Sequence, residues 1–304
     1  MGKTELDNAI WAEKYRPDTF DDLIFEKKDQ LQSFLKNPKQ MPSFIFYSSK
    51  PGTGKTSTAK IIIDVLKCDA LRINSSDERG IDTIRDKIRL FACSMSSNPD
   101  TKRCVFLDEA DGLTRIAQDS LRNLMETYSD NCFFVFSCND VGKIIEPIRS
   151  RCVSLDFEKP NRLDITARLL NIVDVEKLDV SAQSLQELID LHYPDIRSMI
   201  VKLQQHNIDK SFPLIDKKGY ESFLDLVKKH DVDSIYKKVY SGTFNILEFN
   251  KYFFRHLYDN YDKYGFEKTK LISICLADTE RSWNVGANLE IIFLSNVMRI
   301  MTVL

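Results

Sequence analysis

The stretch that decides the fold is "SFIFYSSKPGTGKTSTAK", Ser43–Lys60. It opens with an apolar, aromatic run that predicts a buried strand, and the residues from Thr56 onward have the apolar spacing of a helix. Between them lies "GTGKT", the end of the phosphate-binding motif G-x-x-x-x-G-K-[ST]. A strand, a glycine-containing loop and a helix N-terminus form a cradle whose backbone N–H groups and helix dipole attract phosphate. We expect Lys55 to reach the β- and γ-phosphates of a nucleotide and Thr56 to hold Mg²⁺ through its hydroxyl.

The motif departs from its usual form at Ser49, which stands where its first glycine is expected. The departure matters only if that residue needs a positive φ, where a Cβ costs roughly 1–2 kcal/mol. Gly52 and Gly54 remain where the backbone approaches phosphate most closely. We therefore interpret the loop as a working site with an altered rim.

The composition is that of a globular protein and leaves the partner open. A chain of 304 residues is long enough for two or three domains. Its net charge of −2 attracts no particular partner, so any nucleic-acid binding must come from local basic patches. The seven cysteines include no C-x-x-C pair, which favours reduced thiols over disulfides or a zinc site. We expect a cytoplasmic protein with no membrane association, because there is no signal peptide and no apolar run approaches ~18 residues.

Strands and helices alternate along the first half of the chain. Four further apolar runs follow Ser43–Tyr47 and predict strands: "ALRIN", "RCVFLDEAD", "CFFVFSCND" and "CVSLDF". Strands that alternate with helices pair in parallel, with both faces of the sheet covered. The sequence therefore predicts an α/β domain around a parallel five-stranded sheet.

The pattern becomes helical after Phe157. Three helices are predicted to start near Asn161, Ser181 and Pro194, which suggests a small helical lid. A further helical block ends in "ANLEIIFLSNVMRIM", which is apolar almost all round and must be buried, either by subunit association or in the core of its own domain. We predict three domains with boundaries at 1–158, 159–227 and 228–304.

Two adjacent acids close the third strand candidate. In "VFLDEAD", Asp108 would bind Mg²⁺ through water and Glu109 would orient or deprotonate an attacking water. The alternative is a pair of surface carboxylates at a helix start. Asn139 ends the fourth strand, where it would touch the γ-phosphate or the water, although Asn-Asp also simply starts a turn. Arg149 and Arg151 lie before the fifth strand, where an arginine could face a neighbouring subunit and stabilise transition-state charge, although the residues alone favour ordinary surface arginines.

The order of the phosphate-binding loop, the acidic pair, Asn139 and the arginines resembles that of an AAA+ ATPase. More narrowly, it resembles the small subunits of sliding-clamp loaders, the replication factor C small subunit family. The final helix resembles that of T-even phage clamp-loader small subunits, so we expect a phage protein, with a cellular small subunit as the alternative. The segments that carry the resemblance are "EKYRPDTFDDLI" (Glu13–Ile24), "PGTGKTST" (Pro51–Thr58), "INSSDERGIDTIR" (Ile73–Arg85), "LDEADGLTRIAQDSLRNLME" (Leu107–Glu126), "SCN" (Ser137–Asn139) and "IIEPIRSRC" (Ile144–Cys152).

The resemblance implies an AAA+ domain, a helical lid and an all-α collar domain that binds other subunits, with ATP and Mg²⁺ as cofactors. It makes Asn139 the first sensor, Arg197 the second sensor, and Arg151 an arginine finger that reaches the neighbouring subunit's ATP. Arg79 would hold Glu109 away from the water until DNA binds. The implied nucleotide-binding residues are Tyr15, Arg16, Pro17, Pro51, Gly52, Thr53, Gly54, Lys55, Thr56 and Ser57.

The resemblance also implies DNA contacts and a function. Arg85 and Arg89 lie four residues apart, and so on one helix face. The full expected set is Ile81, Arg85, Arg89, Thr114, Arg115 and Gln118, which would contact phosphates. We expect an ATPase subunit that, in a ring or spiral pentamer with other loader subunits, opens a sliding clamp and loads it onto primer–template DNA. The alternatives are a scaffold subunit that binds ATP without hydrolysing it, and another AAA+ DNA motor such as a branch-migration helicase.

Overall fold

The structure is a computed structural model and describes residues 10–75, 81–209, 216–242, 244–284 and 286–304. The chain divides into two compact units, residues 1–212 and 213–304, and each is described by itself. Within the described residues, no helix is long and apolar enough to cross a lipid bilayer.

The first unit is built around a five-stranded sheet, which confirms the predicted fold class. All of its recorded strand pairs are parallel, and the strand order is β2-β3-β4-β1-β5. The first strand therefore lies between the fourth and the fifth, and the carboxyl ends of all five share one edge. The strands are β1 (Ser43–Tyr47), β2 (Ala70–Asn74), β3 (Arg103–Asp108), β4 (Cys132–Cys138) and β5 (Cys152–Asp156).

Both faces of this sheet are buried, because alternate residues of each central strand enter two different cores. In β1, Ile45 packs into one core while Phe44 and Phe46 pack into the other. In β4, Phe134 and Phe133 divide in the same way. This accounts for the continuous apolar runs in the sequence, since a strand buried on both faces has no polar alternation.

Nine helices belong to the described part of the first unit. The helices predicted to start near Asn161 and Ser181 begin there with side-chain caps: the Asn161 side chain accepts from the backbone N–H of Leu163, and the Ser181 hydroxyl accepts from that of Ser184. The third predicted lid helix begins two residues after Pro194, because the Asp195 carboxylate caps it. The helices are α1 (Trp11–Lys14), α2 (Lys28–Leu35), α3 (Lys55–Leu66), α4 (Ile81–Cys93), α5 (Arg115–Thr127), α6 (Glu146–Arg149), α7 (Arg162–Val175), α8 (Ala182–His192) and α9 (Ile196–Ile208).

The second unit is helical throughout its described elements. Its core is rich in aromatic side chains, and Phe223 packs against Phe244, Phe249 and Phe293. The helices are α10 (Lys217–Lys228), α11 (Val232–Tyr240), α12 (Ile246–Asp259), α13 (Tyr261–Asn284, interrupted at Gly265) and α14 (Leu289–Met301).

Two predictions from the sequence concern this second unit. The boundary predicted after residue 227 falls inside it, because α10 buries Tyr220, Phe223 and Leu224 in the core that it shares with α12 and α14. The assignment of 159–227 to a lid and of 228–304 to a collar stays a prediction. The final helix is not buried all round within its own unit, since Ile291 and Met298 remain 60% and 49% exposed.

Candidate functional site

A cleft opens at the carboxyl edge of the sheet, beside the ends of β1, β3 and β4. The N-terminal segment and the first turn of α9 complete its walls. Most of the residues expected to bind or process nucleotide line this one cleft: Tyr15, Arg16, Pro17, Pro51, Gly52, Thr53, Gly54, Lys55, Thr56, Ser57, Asp108, Glu109, Asn139 and Arg197. Because β1 lies at the point where the strand order reverses, the cleft is where open α/β sheets bind their ligands.

The phosphate-binding loop takes the backbone shape that its glycines allow. Gly52 and Gly54 have φ values of 70° and 100°, a region that side chains disfavour. Ser49 is not among the residues with positive φ in the described chain, so the absent glycine causes no strain there. The altered rim is therefore compatible with the usual loop conformation.

Lys55 is buried inside this loop. Its exposed fraction is 8%, and its Nζ donates to the carbonyls of Lys50 at 3.1 Å and Ser48 at 3.4 Å. Burial lowers the pKa of Lys55 below its ordinary value. An anion bound in the loop would offset the cost of this burial, because it would favour the charged form of the amine.

The acids at the end of β3 are tied to helix α3 and to the neighbouring strand β4. The Thr56 hydroxyl of α3 donates to Asp108 Oδ1 at 3.1 Å, and the Ser137 hydroxyl of β4 donates to the same oxygen. The backbone N–H of Glu109 donates to Ser137 Oγ at 3.1 Å. Glu109 itself has left-handed backbone angles, φ 55° and ψ 43°. Asp108 is half-buried and held by two hydroxyls, which does not fit an ordinary surface carboxylate, whereas Glu109 is exposed and directly precedes a short 3₁₀ helix.

The start of α9 lies against the phosphate-binding loop. A Cβ added to Gly52 would lie 1.9 Å from Asp195 Oδ1 and 3.1 Å from the Cβ of Arg197. The Asp195 carboxylate is fixed in place, because it accepts from both the backbone N–H and the hydroxyl of Ser198. Only glycine leaves room for this approach at position 52.

The N-terminal wall of the cleft is fastened to the lid helix α7. The Glu176 carboxylate, at the end of α7, accepts from Lys14 Nζ at 2.6 Å and from the hydroxyl of Tyr15. Burial raises the pKa of Glu176, but the hydrogen bonds from Lys14 and Tyr15 lower it more, and the net pKa lies below its usual value. Arg168 donates to the carbonyl of Tyr15 at 2.7 Å and to Asp22 Oδ1 at 3.2 Å.

The donor set suits a magnesium ion that arrives with a nucleotide. Thr56 and Asp108 offer oxygen ligands, which Mg²⁺ prefers, and Thr53 Oγ1 is a buried hydroxyl in the loop without a hydrogen-bond partner. Within the described residues, no group of three or more His, Cys, Asp or Glu gathers to hold a metal. This pattern fits Mg²⁺, which usually takes one or two carboxylates together with phosphate oxygens and water.

Arg151 lies elsewhere in the unit. It immediately precedes β5, so it stands at the amino edge of the sheet, across from the phosphate-binding loop. Its guanidinium donates to Glu126 on α5 and to the carbonyl of Pro147 at 2.7 Å. The side chains of Arg151 and Glu126 are 40% and 48% exposed. Arg151 therefore does not reach the cleft of its own chain.

The residues expected to contact DNA do not all lie at the surface. Arg85 and Arg89 on α4 are exposed, and so are Thr114 and Arg115 at the start of α5. Thr114 also caps α5 by accepting from the N–H of Ala117.

The structure corrects the prediction for Gln118. This side chain is 2% exposed, and its amide bonds to the backbones of Leu113, Lys143 and Ile145. A glutamine whose amide is committed inside the fold does not contact a phosphate. Arg79 lies outside the described residues, and of Ile81 only the backbone position at the start of α4 is described.

Four residues in or beside the cleft had no role predicted from the sequence: Ser137 and Arg168, which line it, and Glu176 and Asp195, which contact its wall and its loop. Ser137 had a usable signal, since it is a hydroxyl residue near the end of the apolar run "CFFVFSC". The others had none, because lid residues reach the cleft only through tertiary packing.

Comparisons with known proteins agree with this geometry. The family "ATPase family associated with various cellular activities (AAA)" matches residues 45–159. The fold resembles the RuvB Holliday junction branch migration motor of Thermotoga maritima, with a TM-score of 0.52 and 14% identity over 73% of this chain and 84% of that one. Identity this low shows the fold alone.

Sequence relatives are more specific. Replication factor C small subunit of Saccharolobus solfataricus is 39% identical over 66% of this chain and 62% of its own length, and that of Picrophilus torridus is 43% identical over 64% and 63%. The chain thus spans less than two thirds of these archaeal relatives. Replication factor C subunit 4 of Saccharomyces cerevisiae is 37% identical over 71% of both chains. The chain belongs to the replication factor C small subunit family of AAA proteins.

Proposed function

We propose that this chain is an ATPase subunit of a sliding-clamp loader, which opens the clamp and loads it onto primer–template DNA during replication. The observation that carries the proposal is the meeting of Lys55, Thr56, Asp108 and Glu109 in one cleft of a replication factor C small-subunit chain. These are the groups that nucleotide hydrolysis requires, since phosphoryl transfer depends on positioning and charge stabilisation.

Nucleotide binding would use the loop and the wall of the cleft together. Lys55 would exchange its backbone carbonyl partners for phosphate oxygens, and the N–H groups at the start of α3 would face the same anion. The base would lie against the N-terminal wall at Tyr15, Arg16 and Pro17. Arg197 would contact phosphate and so make the position of α9 depend on the nucleotide.

Hydrolysis would use the acids and the strand ends. Thr56 and Asp108 would hold Mg²⁺, which neutralises charge that develops on the phosphates. Glu109 would orient the attacking water and accept its proton. Asn139, at the end of β4, would hydrogen-bond the γ-phosphate or that water.

The finger residue would act between subunits. Arg151 stands at the opposite edge of the sheet from its own phosphate-binding loop, so a nucleotide that it contacts would be a neighbour's. Its ion pair with Glu126 is half-exposed, and such pairs contribute only about 0–1 kcal/mol. Releasing the guanidinium to a neighbour's phosphate therefore costs little.

DNA would be held by shape and charge. Arg85, Arg89 and Arg115 are exposed cations on neighbouring helices, and the start of α5 at Thr114 offers backbone amides. Arg79 would restrain Glu109 until DNA is bound. A spiral pentamer with other loader subunits would follow the shape of a duplex without recognising its sequence. If the protein is encoded by a phage, this pentamer would work in the host cytoplasm.

The test combines the purified chain with candidate partner subunits, the clamp and primed DNA, and measures ATP hydrolysis. We expect hydrolysis to rise when clamp and primed DNA are both present. Arg151→Ala should bind nucleotide as the wild type does but lose most of the stimulated rate, whereas the adjacent control Arg149→Ala should keep it. DNA binding should weaken steeply with salt, because phosphate contacts release counterions.

Each alternative gives a different result. A scaffold subunit would bind ATP without hydrolysing it under any combination. Another AAA+ DNA motor would respond to DNA and ignore the clamp. If no combination of partner subunits, clamp and DNA stimulated hydrolysis, the loader assignment would be refuted.

A further inference from the structure

The Ser137 hydroxyl occupies a junction between the two acids at the end of β3. Ser137 is the penultimate residue of β4 and is 2% exposed. Its Oγ accepts from the backbone N–H of Glu109 at 3.1 Å and donates to Asp108 Oδ1. One side chain therefore contacts both acids, whereas the family resemblance assigns a role only to Asn139 of the segment "SCN".

The direction of each hydrogen bond follows from the groups involved. A backbone N–H can only donate, so Ser137 Oγ accepts from Glu109. The single hydroxyl proton of Ser137 is then available for the Asp108 carboxylate, which accepts when it is ionised. Thr56 also donates to Asp108 Oδ1, at 3.1 Å, so two hydroxyls from different elements fix the orientation of this carboxylate.

The Ser137 hydroxyl binds the backbone of Glu109 just beyond the last backbone pairing between β3 and β4. The recorded pairing of β3 with β4 ends at Leu107 and Phe136, one residue before Asp108 and Ser137. Beyond that point, Glu109 adopts left-handed backbone angles, which are unfavourable for a residue with a Cβ. On the β2 side, the Ser75 N–H still donates to the Asp108 carbonyl at 2.9 Å, and on the β4 side the bond from the Glu109 N–H to Ser137 Oγ holds the chain where the ladder has ended.

We propose that Ser137 is a positioning residue for nucleotide hydrolysis. Its hydroxyl orients Asp108 for the magnesium ion and holds the backbone from which Glu109 reaches the water, and it does not itself contact the reacting atoms. This inference rests on the proposed ATPase function. Serine suits the position because its hydroxyl donates and accepts at once, and alanine can do neither.

The test compares Ser137→Ala with a matched control, Ser43→Ala. The Ser43 hydroxyl also accepts from a backbone N–H, that of Phe134 at 3.0 Å, but it lies at the start of β1, away from the cleft. Both variants lose a hydroxyl-to-backbone hydrogen bond in the sheet. A purely structural role for Ser137 would give the two variants the same behaviour.

Binding is read with a fluorescent ATP analogue, first in EDTA and then across a Mg²⁺ titration. In EDTA, we expect Ser137→Ala to bind the analogue within about twofold of the wild type. The Mg²⁺ concentration at half-effect should rise roughly 10–100-fold, the usual loss when a partner of a metal ligand is removed. The kcat should fall in the presence of clamp and primed DNA while KM stays within about threefold, and Ser43→Ala should match the wild type in each measurement.

A second variant, Ser137→Cys, tests the proposal if Ser137→Ala does not fold. Ser137→Cys is close to serine in volume, but its thiol is a weak donor and acceptor, so it should shift the Mg²⁺ response in the same direction by a smaller factor. If a folded Ser137→Ala or Ser137→Cys protein has the Mg²⁺ response of Ser43→Ala, the inference is wrong. If the wild type shows no Mg²⁺-dependent nucleotide binding, the proposed function itself fails.

Discussion

Replacing Gln118 by alanine should destabilise the first unit by about 3 kcal/mol. The amide of Gln118 donates to the carbonyls of Leu113 at 3.2 Å and Lys143 at 3.0 Å, and it accepts from the N–H of Ile145 at 2.8 Å. Leaving the partly buried Ile145 N–H without an acceptor costs about 1–2 kcal/mol, and each of the other two bonds contributes about 0.5–1 kcal/mol.

The measurement is thermal unfolding followed by circular dichroism, with urea unfolding as a check. For a unit of this size, a loss of about 3 kcal/mol lowers Tm by roughly 6–12 °C. Gln183→Ala is the control, because the Gln183 amide is exposed and bonds only to Glu187 in the recorded contacts. We expect the control to change the free energy of unfolding by no more than about 0.5 kcal/mol.

A second substitution separates the donors from the acceptor. Gln118→Glu keeps an oxygen for the Ile145 N–H but cannot donate to Leu113 and Lys143, and it places a charge at a site that is 2% exposed. It should be at least as destabilising as Gln118→Ala at pH 7. A loss below about 1 kcal/mol for Gln118→Ala would refute the interpretation of this amide as structural.

Three further substitutions test other parts of the molecule. Gly52→Ala should weaken nucleotide binding at least ~10-fold by titration, since its φ is 70° and its Cβ would lie 1.9 Å from Asp195 Oδ1; unchanged affinity would contradict this. The pKa of Glu176 is lowered on folding, so its contribution to the free energy of unfolding is complete above pH 4.5 and is lost as the pH falls through the folded-state pKa. The difference in free energy of unfolding between the wild type and Glu176→Gln should therefore be constant from about pH 6 to 8 and shrink in acid. Phe223→Ala should cost the second unit about 3–5 kcal/mol in urea unfolding, and a loss below about 1.5 kcal/mol would argue against a single aromatic core.

The first unit could be predicted from sequence because its signals are local. A strand buried on both faces reads as an apolar run, and the residues that follow β1, β3 and β4 must meet at one edge when the strands are parallel. Lys55, Asp108 and Asn139 were found in this way and lie in one cleft.

Contacts that form only through tertiary packing could not be predicted from the sequence. Gln118 has the exposed-looking helix position of a DNA contact, yet loop residues after Lys143 fold over it and bury its amide. Glu176 is 161 residues from its partner Tyr15, and no local pattern links the two. The core that α10 joins was not predictable either, because its amphipathic sequence does not indicate which core it enters.

The Arg168 guanidinium gives the cleft a preorganised wall. By holding both the Tyr15 carbonyl and Asp22, it fixes the N-terminal segment against α7. Ordering one backbone residue costs about 1–2 kcal/mol, so a wall that formed only on binding would weaken affinity by several factors of ten. The corollary concerns nucleotide exchange: a nucleotide leaves either past an intact wall or after the wall opens, and opening breaks the contacts of Arg168 together with those of Lys14 and Tyr15 to Glu176.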